Sequence, residues 1–335
     1  MRGVILLILS LFIVSCSEKV PTLRAVTGEG FGTTYNIQYY TVSEFDSKLG
    51  IDSVLNVINR SVSTYMPDSD ISKINNGDST IVVDEIFREV YQLSETVYNA
   101  SEGYFDPTIG VLRNAYGFGD VKPIAVLSDE VLDSLRQYVG FEKVSLTSEG
   151  IVQKEYPEIY FDFNAVAKGY GIDRIGDYLE QEGVENYLIE LGGEILSKGK
   201  NLNKDSDWSV GVESVSSEIG DRSYAAVITI SDKGMAASGN YRKFRIDSLS
   251  GKKYVHTINP LTGLAEQSDV TSATVIAADC ATADAYATAF MAMGLERSKE
   301  LLQKNTPLEA YLTFVDSTDT PQVFITEGFK NRIRD

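Results

Sequence analysis

The chain has 335 residues, 43% hydrophobic, 23% charged and 10% aromatic. That is too long for a disulfide-stapled miniature fold and suits one large domain or two closely packed lobes, since single cores stop growing near ~250–300 residues. Thirty Lys and Arg against 48 Asp and Glu leave a net charge of −18, which opposes counterion-driven binding to phosphate backbones and argues against a nucleic-acid partner.

In chain order, Arg2 precedes the apolar run Gly3–Val14, too short for the ~20 residues that span a bilayer and sized for a signal-peptide core. The run ends in Ile13-Val-Ser-Cys16, which resembles a bacterial lipobox. Residues 1–15 are therefore expected to be a removed signal peptide, with a lipid on Cys16 and a tether over 16–25 leading to a folded body over 26–330. Tyr35–Val42 reads as a strand. Ile51–Arg60 and Ile86–Ala100 carry apolar residues at helical spacing, and Asp129–Val139 makes a shorter helix after a loop over Tyr116–Ser128. Ile159–Phe163 reads as a strand running into a helix over Ala165–Gln181, stopped by Gly183. Strands are predicted at Tyr187–Leu191, Ala225–Ser231, Tyr241–Ile246, Lys253–Thr257 and Val270–Ala277. Helices follow at Thr282–Met293 and Glu296–Lys304, and strands at Ala310–Val315 and Gln322–Thr326. No βαβ beat emerges, so the class is α+β.

Two cysteines, Cys16 and Cys280, and one histidine, His256, cannot build thiolate or imidazole metal clusters, so a metal would need oxygen ligands. With Cys16 acylated, Cys280 has no intramolecular partner and no disulfide is expected. Asp284 and Thr288, at i and i+4, place two oxygens on one helix face. With Asp284 in the predicted first turn, they could hold a hard cation that shares phosphate oxygens. Asp284 could equally just complement the helix dipole. Asp162 ends the predicted strand and Lys168 stands one turn into the next helix, where it could neutralise a phosphate or be a plain surface lysine. His256, at a turn enforced by Pro260 and Gly263, could accept a proton from a hydroxyl nucleophile or only hydrogen-bond the turn. Loop aromatics at Phe31, Tyr65, Tyr104 and Phe105 could stack on a flat ring, although most tyrosines are core or rim residues.

Eight ordered blocks resemble the ApbE family of FAD:protein FMN transferases. The first four are Gly32-Thr-Thr-Tyr35, Ser63-Thr-Tyr65 with Ser69-Asp-Ile-Ser72, Gly103-Tyr-Phe-Asp-Pro-Thr-Ile-Gly110, and Asp162-Phe-Asn-Ala-Val-Ala-Lys-Gly-Tyr170. The others are Glu190-Leu-Gly-Gly193, Ala237-Ser-Gly-Asn-Tyr241, His256-Thr-Ile-Asn-Pro260 with Thr262-Gly263, and Asp279-Cys-Ala-Thr-Ala-Asp-Ala-Tyr-Ala-Thr288. The resemblance implies mixed sheets and helices in two lobes with FAD in the cleft between them and Mg2+ at its pyrophosphate. It implies metal ligation by the Ala165 carbonyl, Asp284 and Thr288, with Asp284 catalytic through that role. A cofactor site of Phe31, Tyr65, Tyr104, Phe105, Asp106, Asp162, Lys168, His256 and the Ile258 backbone is implied, with His256 as proton acceptor. Phe31 stands where many members have Met, and Ala165 where Thr or Ser is frequent.

The implied reaction moves FMN from FAD to a Thr or Ser hydroxyl of an acceptor protein, such as a membrane redox subunit, and releases AMP. With the lipobox, this implies a lipid-anchored, periplasm-facing enzyme of the bacterial envelope, on the inner rather than the outer membrane. Two other readings use the same residues: an FAD diphosphatase giving FMN and AMP, and a non-catalytic FAD-binding lipoprotein. Asp269-Val-Thr-Ser-Ala-Thr274 faintly suggests a flavinylation acceptor and reads instead as the buried strand before the metal helix.

Overall fold

The computed structural model describes residues 20–124, 127–214, 223–240, 244–246, 251, 253–304 and 307–334. The expected signal peptide, the lipobox cysteine and Tyr241–Lys243 lie outside them. The fold opens with β1 (Thr22–Gly30) and β2 (Thr33–Thr41), paired antiparallel across a turn at Phe31 and Gly32. Thr22–Ala25, expected as tether, is sheet. Its side chains are all exposed, so no apolar alternation marks the strand, and backbone pairing with β2 makes it one.

Three capped helices follow, α1 (Ser47–Val62), α2 (Asp70–Asn75) and α3 (Glu85–Ala100), whose first turns donate to Asp46, Ser69 and Asp84. Next come α4 (Gly110–Tyr116), α5 (Asp129–Arg136) and the short hairpin β3 (Val144–Leu146) with β4 (Val152–Lys154). The chain continues through α6 (Ala167–Gln181), β5 (Asn186–Leu191), β6 (Glu194–Lys198), β7 (Trp208–Glu213), β8 (Tyr224–Ile230) and β9 (Lys233–Gly239). It ends with β10 (Phe244–Ile246), β11 (Lys253–Val255), β12 (Val270–Ala277), α7 (Cys280–Met293), α8 (Leu295–Gln303), β13 (Glu309–Val315), β14 (Pro321–Ile325) and α9 (Glu327–Lys330).

Eight strands form one sheet in the order β1-β2-β5-β6-β9-β12-β13-β14, with every neighbouring pair antiparallel. This is why the sequence shows no βαβ beat. On one face, Tyr35, Ile37, Ile189 and Leu191 pack against Ile51 and Leu55 of α1 and Ile172, Ile175 and Leu179 of α6. Twelve of the fourteen α7 residues are buried, as expected of a helix apolar all round that is enclosed on every side. On the opposite face, Ile195, Met235, Ile276 and Tyr311 meet Trp208, Val210, Ile228 and Ile230 of the β7–β8 ribbon. A separate small core, built from Leu112, Tyr116, Leu132, Tyr254, Ile258 and Ala265, forms the second lobe of this α+β fold.

Two boundaries differ from expectation. Ile159–Phe163 is extended but is not a ladder strand. The Asn75 carboxamide pairs with both backbone groups of Phe161 (2.7 and 2.9 Å), Asp162 donates its N–H to the Pro107 carbonyl (2.7 Å), and a single parallel bridge joins Tyr160 to Ile109. A side chain thus replaces the neighbouring strand. The helix expected from Ala165 begins at Ala167, because residues 163–166 form a turn in which Val166 and Ala167 both donate to the Phe163 carbonyl.

Candidate active site

A cleft of about 610 Å³ opens between the sheet and the second lobe. Ten of the twelve residues expected at the site line it: Tyr104, Phe105, Asp106, Asp162, Ala165, Lys168, His256, Ile258, Asp284 and Thr288. They come from four chain segments that the fold brings together.

The first is the loop after α3. The Asp106 carboxylate accepts the Thr108 N–H (2.8 Å) and hydroxyl (2.6 Å), while Thr108 Oγ1 accepts the Gly140 N–H at 2.8 Å. Burial pushes the Asp106 carboxyl up to about 6, and the Thr108 bonds offset only part of that. In the second segment, Asp162 Oδ1 accepts the N–H and carboxamide of Asn164 at 2.8 and 2.6 Å, and Oδ2 pairs with Arg113 from α4. Arg113 also donates to the Tyr65 hydroxyl at 3.1 Å. Burial works against its charge, but Asp162 and Tyr65 hold its pKa above the usual value.

The third segment follows β11. Asn259 Oδ1 accepts the N–H of Leu261 (3.0 Å), Gly263 donates to the Asn259 carbonyl (2.8 Å), and Arg136 donates to the Leu261 carbonyl (2.8 Å). These bonds shape the turn that presents His256 and Ile258. Thr257 donates to Asn240 Oδ1 at 3.0 Å, fastening the loop to the end of β9.

The fourth is the crossing of α6 and α7. Asp284 is 4% exposed, and its Oδ2 accepts the Gly169 N–H at 3.1 Å. Thr288, one turn on, is 3.3 Å from the Ser238 hydroxyl. Lys168 is ion-paired with Glu194, the first residue of β6, which is 3% exposed. Burial raises the Asp284 and Glu194 pKa values, with Lys168 partly opposing both. For Lys168 burial works against the charge, and Glu194 and Asp284 overcome it.

Asp284 is not in the first turn. The helix starts at Cys280, capped by Asp279, whose carboxylate accepts the Thr282 N–H, while Asp173 accepts those of Cys280 and Ala281. That N-terminus is thus occupied by the protein's own carboxylates. Cys280, expected just before the helix, is its first residue, fully buried, with its thiol donating to the Met235 carbonyl.

Phe31 and Tyr65 are not among the lining residues. Phe31 adopts φ 50° and lays its ring where a side chain at Gly171 would stand. Tyr65 is 59% exposed and reaches the site through Arg113. Sequence reasoning missed Arg113 and Glu194. Arg113 sits in a seven-residue helix too short to show a period, whereas an acid directly after Gly192-Gly193 was a readable signal for Glu194.

Among the described residues, no group of three or more His, Cys, Asp or Glu side chains could hold a metal. The donors at the crossing are instead one carboxylate, one hydroxyl and the neighbouring Ala165 segment, a set suited to a hard, oxygen-bound cation that shares its coordination with a ligand.

The ApbE family model matches residues 31–312. The FAD:protein FMN transferase of Vibrio cholerae is 37% identical over 98% of both chains, and that of Haemophilus influenzae is 31% identical over 92% of this chain and 91% of the relative. Among solved structures, the flavin transferase ApbE from Vibrio cholerae superposes with a TM-score of 0.83 at 33% identity, covering 93% of this chain and 99% of that one. The apo flavinyl transferase ApbE of Pseudomonas stutzeri gives 0.81 at 25% identity, covering 93% and 97%.

Proposed function

This chain belongs to the ApbE family, and from that premise we propose that it transfers FMN from FAD to a Thr or Ser hydroxyl of a target protein and releases AMP. The observation that carries the reading is the convergence of Asp284, Thr288, Ala165, Lys168 and His256, from separate chain segments, on one cleft. In the reaction the acceptor oxygen forms a bond to the FMN phosphorus, the P–O bond to AMP breaks, and the hydroxyl proton passes to His256.

The residues present fit Mg2+. Asp284 Oδ2 is engaged by Gly169, leaving Oδ1 for the cleft, and Thr288 and the Ala165 carbonyl supply further hard oxygens. When bound, Mg2+ neutralises diphosphate charge. The chain's own contribution is placement: the Asp106 and Asp162 turns and the His256 loop are each fixed by the bonds described above, so little reorganisation is needed at reaction. Lys168 sets a positive charge beside the same point.

We also assign the chain to the bacterial envelope, with Cys16 lipidated, the body facing the periplasm from the inner membrane, and a membrane redox subunit as acceptor. The apolar run and the lipobox pattern support this reading. Among the described residues, no helix is long and apolar enough to cross a membrane.

The test is incubation with FAD and Mg2+, with and without an acceptor peptide. FMN mass gain on the peptide together with AMP supports transfer. AMP without peptide makes the protein a diphosphatase, and tight FAD binding without AMP a carrier. Asp284→Ala, like chelation of Mg2+, is expected to abolish AMP release while circular dichroism stays native; unaltered turnover would remove Asp284 from the site.

A further inference from the structure

Two buried carboxylates, Glu194 and Asp284, flank the Lys168–Gly169 start of α6. Glu194 Oε1 holds Lys168 Nζ, while Asp284 Oδ2 accepts the N–H of Gly169, the next residue along the chain from Lys168. The Lys168 charge acts on both carboxylates. Lys168 stands on a flexible four-carbon stem rooted next to Gly169, whose N–H binds Asp284; an ammonium turned onto that carboxylate would occupy the oxygens a cation needs.

Glu194 is built to prevent this. It is the first residue of β6, in register with Leu191 across a turn whose glycines, Gly192 and Gly193, take φ 63° and 106°. Glu190 accepts the Gly193 N–H at 2.8 Å and braces that turn. Glu194 is almost wholly buried, lines the cleft, and keeps its second oxygen, Oε2, without a hydrogen-bond partner. A buried, half-satisfied carboxylate is costly to the fold, so its placement points to work at the cleft.

We infer that Glu194 is a positioning residue that draws the Lys168 ammonium away from Asp284 and leaves the Asp284 carboxylate open to a divalent cation. The inference rests on the reading of Asp284, Thr288 and Ala165 as a cation site. It predicts that the Lys168–Glu194 pair matters for cation affinity before any flavin is bound.

The experiment measures Mn2+ binding to the full chain without FAD, by the electron paramagnetic resonance signal of free Mn2+, with thermal unfolding to verify that each variant is folded. Asp284→Asn tests the underlying reading: wild-type affinity there means that the cation reading fails, independently of Glu194. Given a loss in Asp284→Asn, Glu194→Gln is expected to weaken Mn2+ binding at least tenfold, and adding Lys168→Met to the same chain to restore it to within about threefold of wild type. A merely structural Glu194 would not be rescued by removing the lysine. Lys168→Met alone, which leaves Glu194 in place, is expected to bind Mn2+ at least as tightly as wild type. Undiminished binding in Glu194→Gln, no rescue in the double variant, or weakened binding in Lys168→Met each overturns the inference.

Discussion

Gly169 is where α6 rests on the first turn of α7. A Cβ at this position would stand 2.4 Å from the Cys280 carbonyl oxygen and 2.7 Å from Ala281 Cα. Both neighbours are backbone, and Asp173 pins that turn by accepting the Cys280 and Ala281 N–H groups at 2.8 Å each. In Gly169→Ala the helices must therefore separate, at an overpacking cost of about 1–3 kcal/mol. Stretching the Gly169 N–H bond to the Asp284 carboxylate costs about 1.5–3 kcal/mol more. The better helix propensity of Ala returns only about 0.5–1 kcal/mol. The net loss is about 1.5–5.5 kcal/mol, read as a lower urea midpoint at unchanged slope. Flavin transfer falls with it, because Asp284 moves with α7. Gly50→Ala is the control: its methyl would meet only the outer end of the Tyr178 ring, which can swing aside. A Gly169→Ala protein with a wild-type midpoint and wild-type transfer would refute the argument that this crossing sets the site.

The Asp106 carboxyl, pushed up to about 6 by burial, makes stability fall as pH rises. The folded state keeps a proton that the unfolded chain releases near 3.9, so the contribution is complete below about pH 4 and lost by about pH 7, roughly 3 kcal/mol in all. Asp106→Asn keeps an acceptor for Thr108 and is expected to flatten that slope in denaturant titrations across pH 4–7; an unchanged slope would refute it. Arg113→Met strands the Asp162 carboxylate, whose side chain is 5% exposed, and is expected to cost about 3–5 kcal/mol. Adding Asp162→Asn should recover most of that in the same urea assay, and no recovery would mean that Arg113 acts through Tyr65 instead.

What was legible in the sequence followed from how each element earns its stability. The helices α1 and α3 each bury one apolar face, so spacing located them, whereas α7, apolar all round, showed through its Ala-rich composition and brought with it the Asp284–Thr288 pair. The first half of β1, Thr22–Ala25, was invisible because its exposed side chains carry no alternation. The extended segment at 159–163 read as a strand for the opposite reason: its apolar side chains fill the core, but its backbone is satisfied by Asn75. The start of α7 was set two residues late because its first turn, Cys280-Ala-Thr282, is capped from outside by Asp173, a residue more than a hundred positions away. The ring of Phe31 packs against α6 at Gly171, a contact no linear pattern records.

The net charge gains meaning at the cleft. Among the described residues, six carboxylates line it, those of Asp106, Asp162, Glu190, Glu194, Glu213 and Asp284, against the cations Arg113 and Lys168. Both cations are already paired, with Asp162 and Glu194, and the N–H groups of the α7 N-terminus are taken by Asp173 and Asp279. Among the described residues, the acidity of the cleft is therefore offset only by cations that are already paired, and a bare diphosphate meets net negative charge there. On the proposed reading this works as selection. A nucleotide arriving with its cation brings the charge that Asp284 and its neighbours lack, while the carboxylates that repel the free anion hold the complex. The two ion pairs then keep the lining carboxylates in place between turnovers, so that the cleft is shaped for the cation-bound substrate before it arrives.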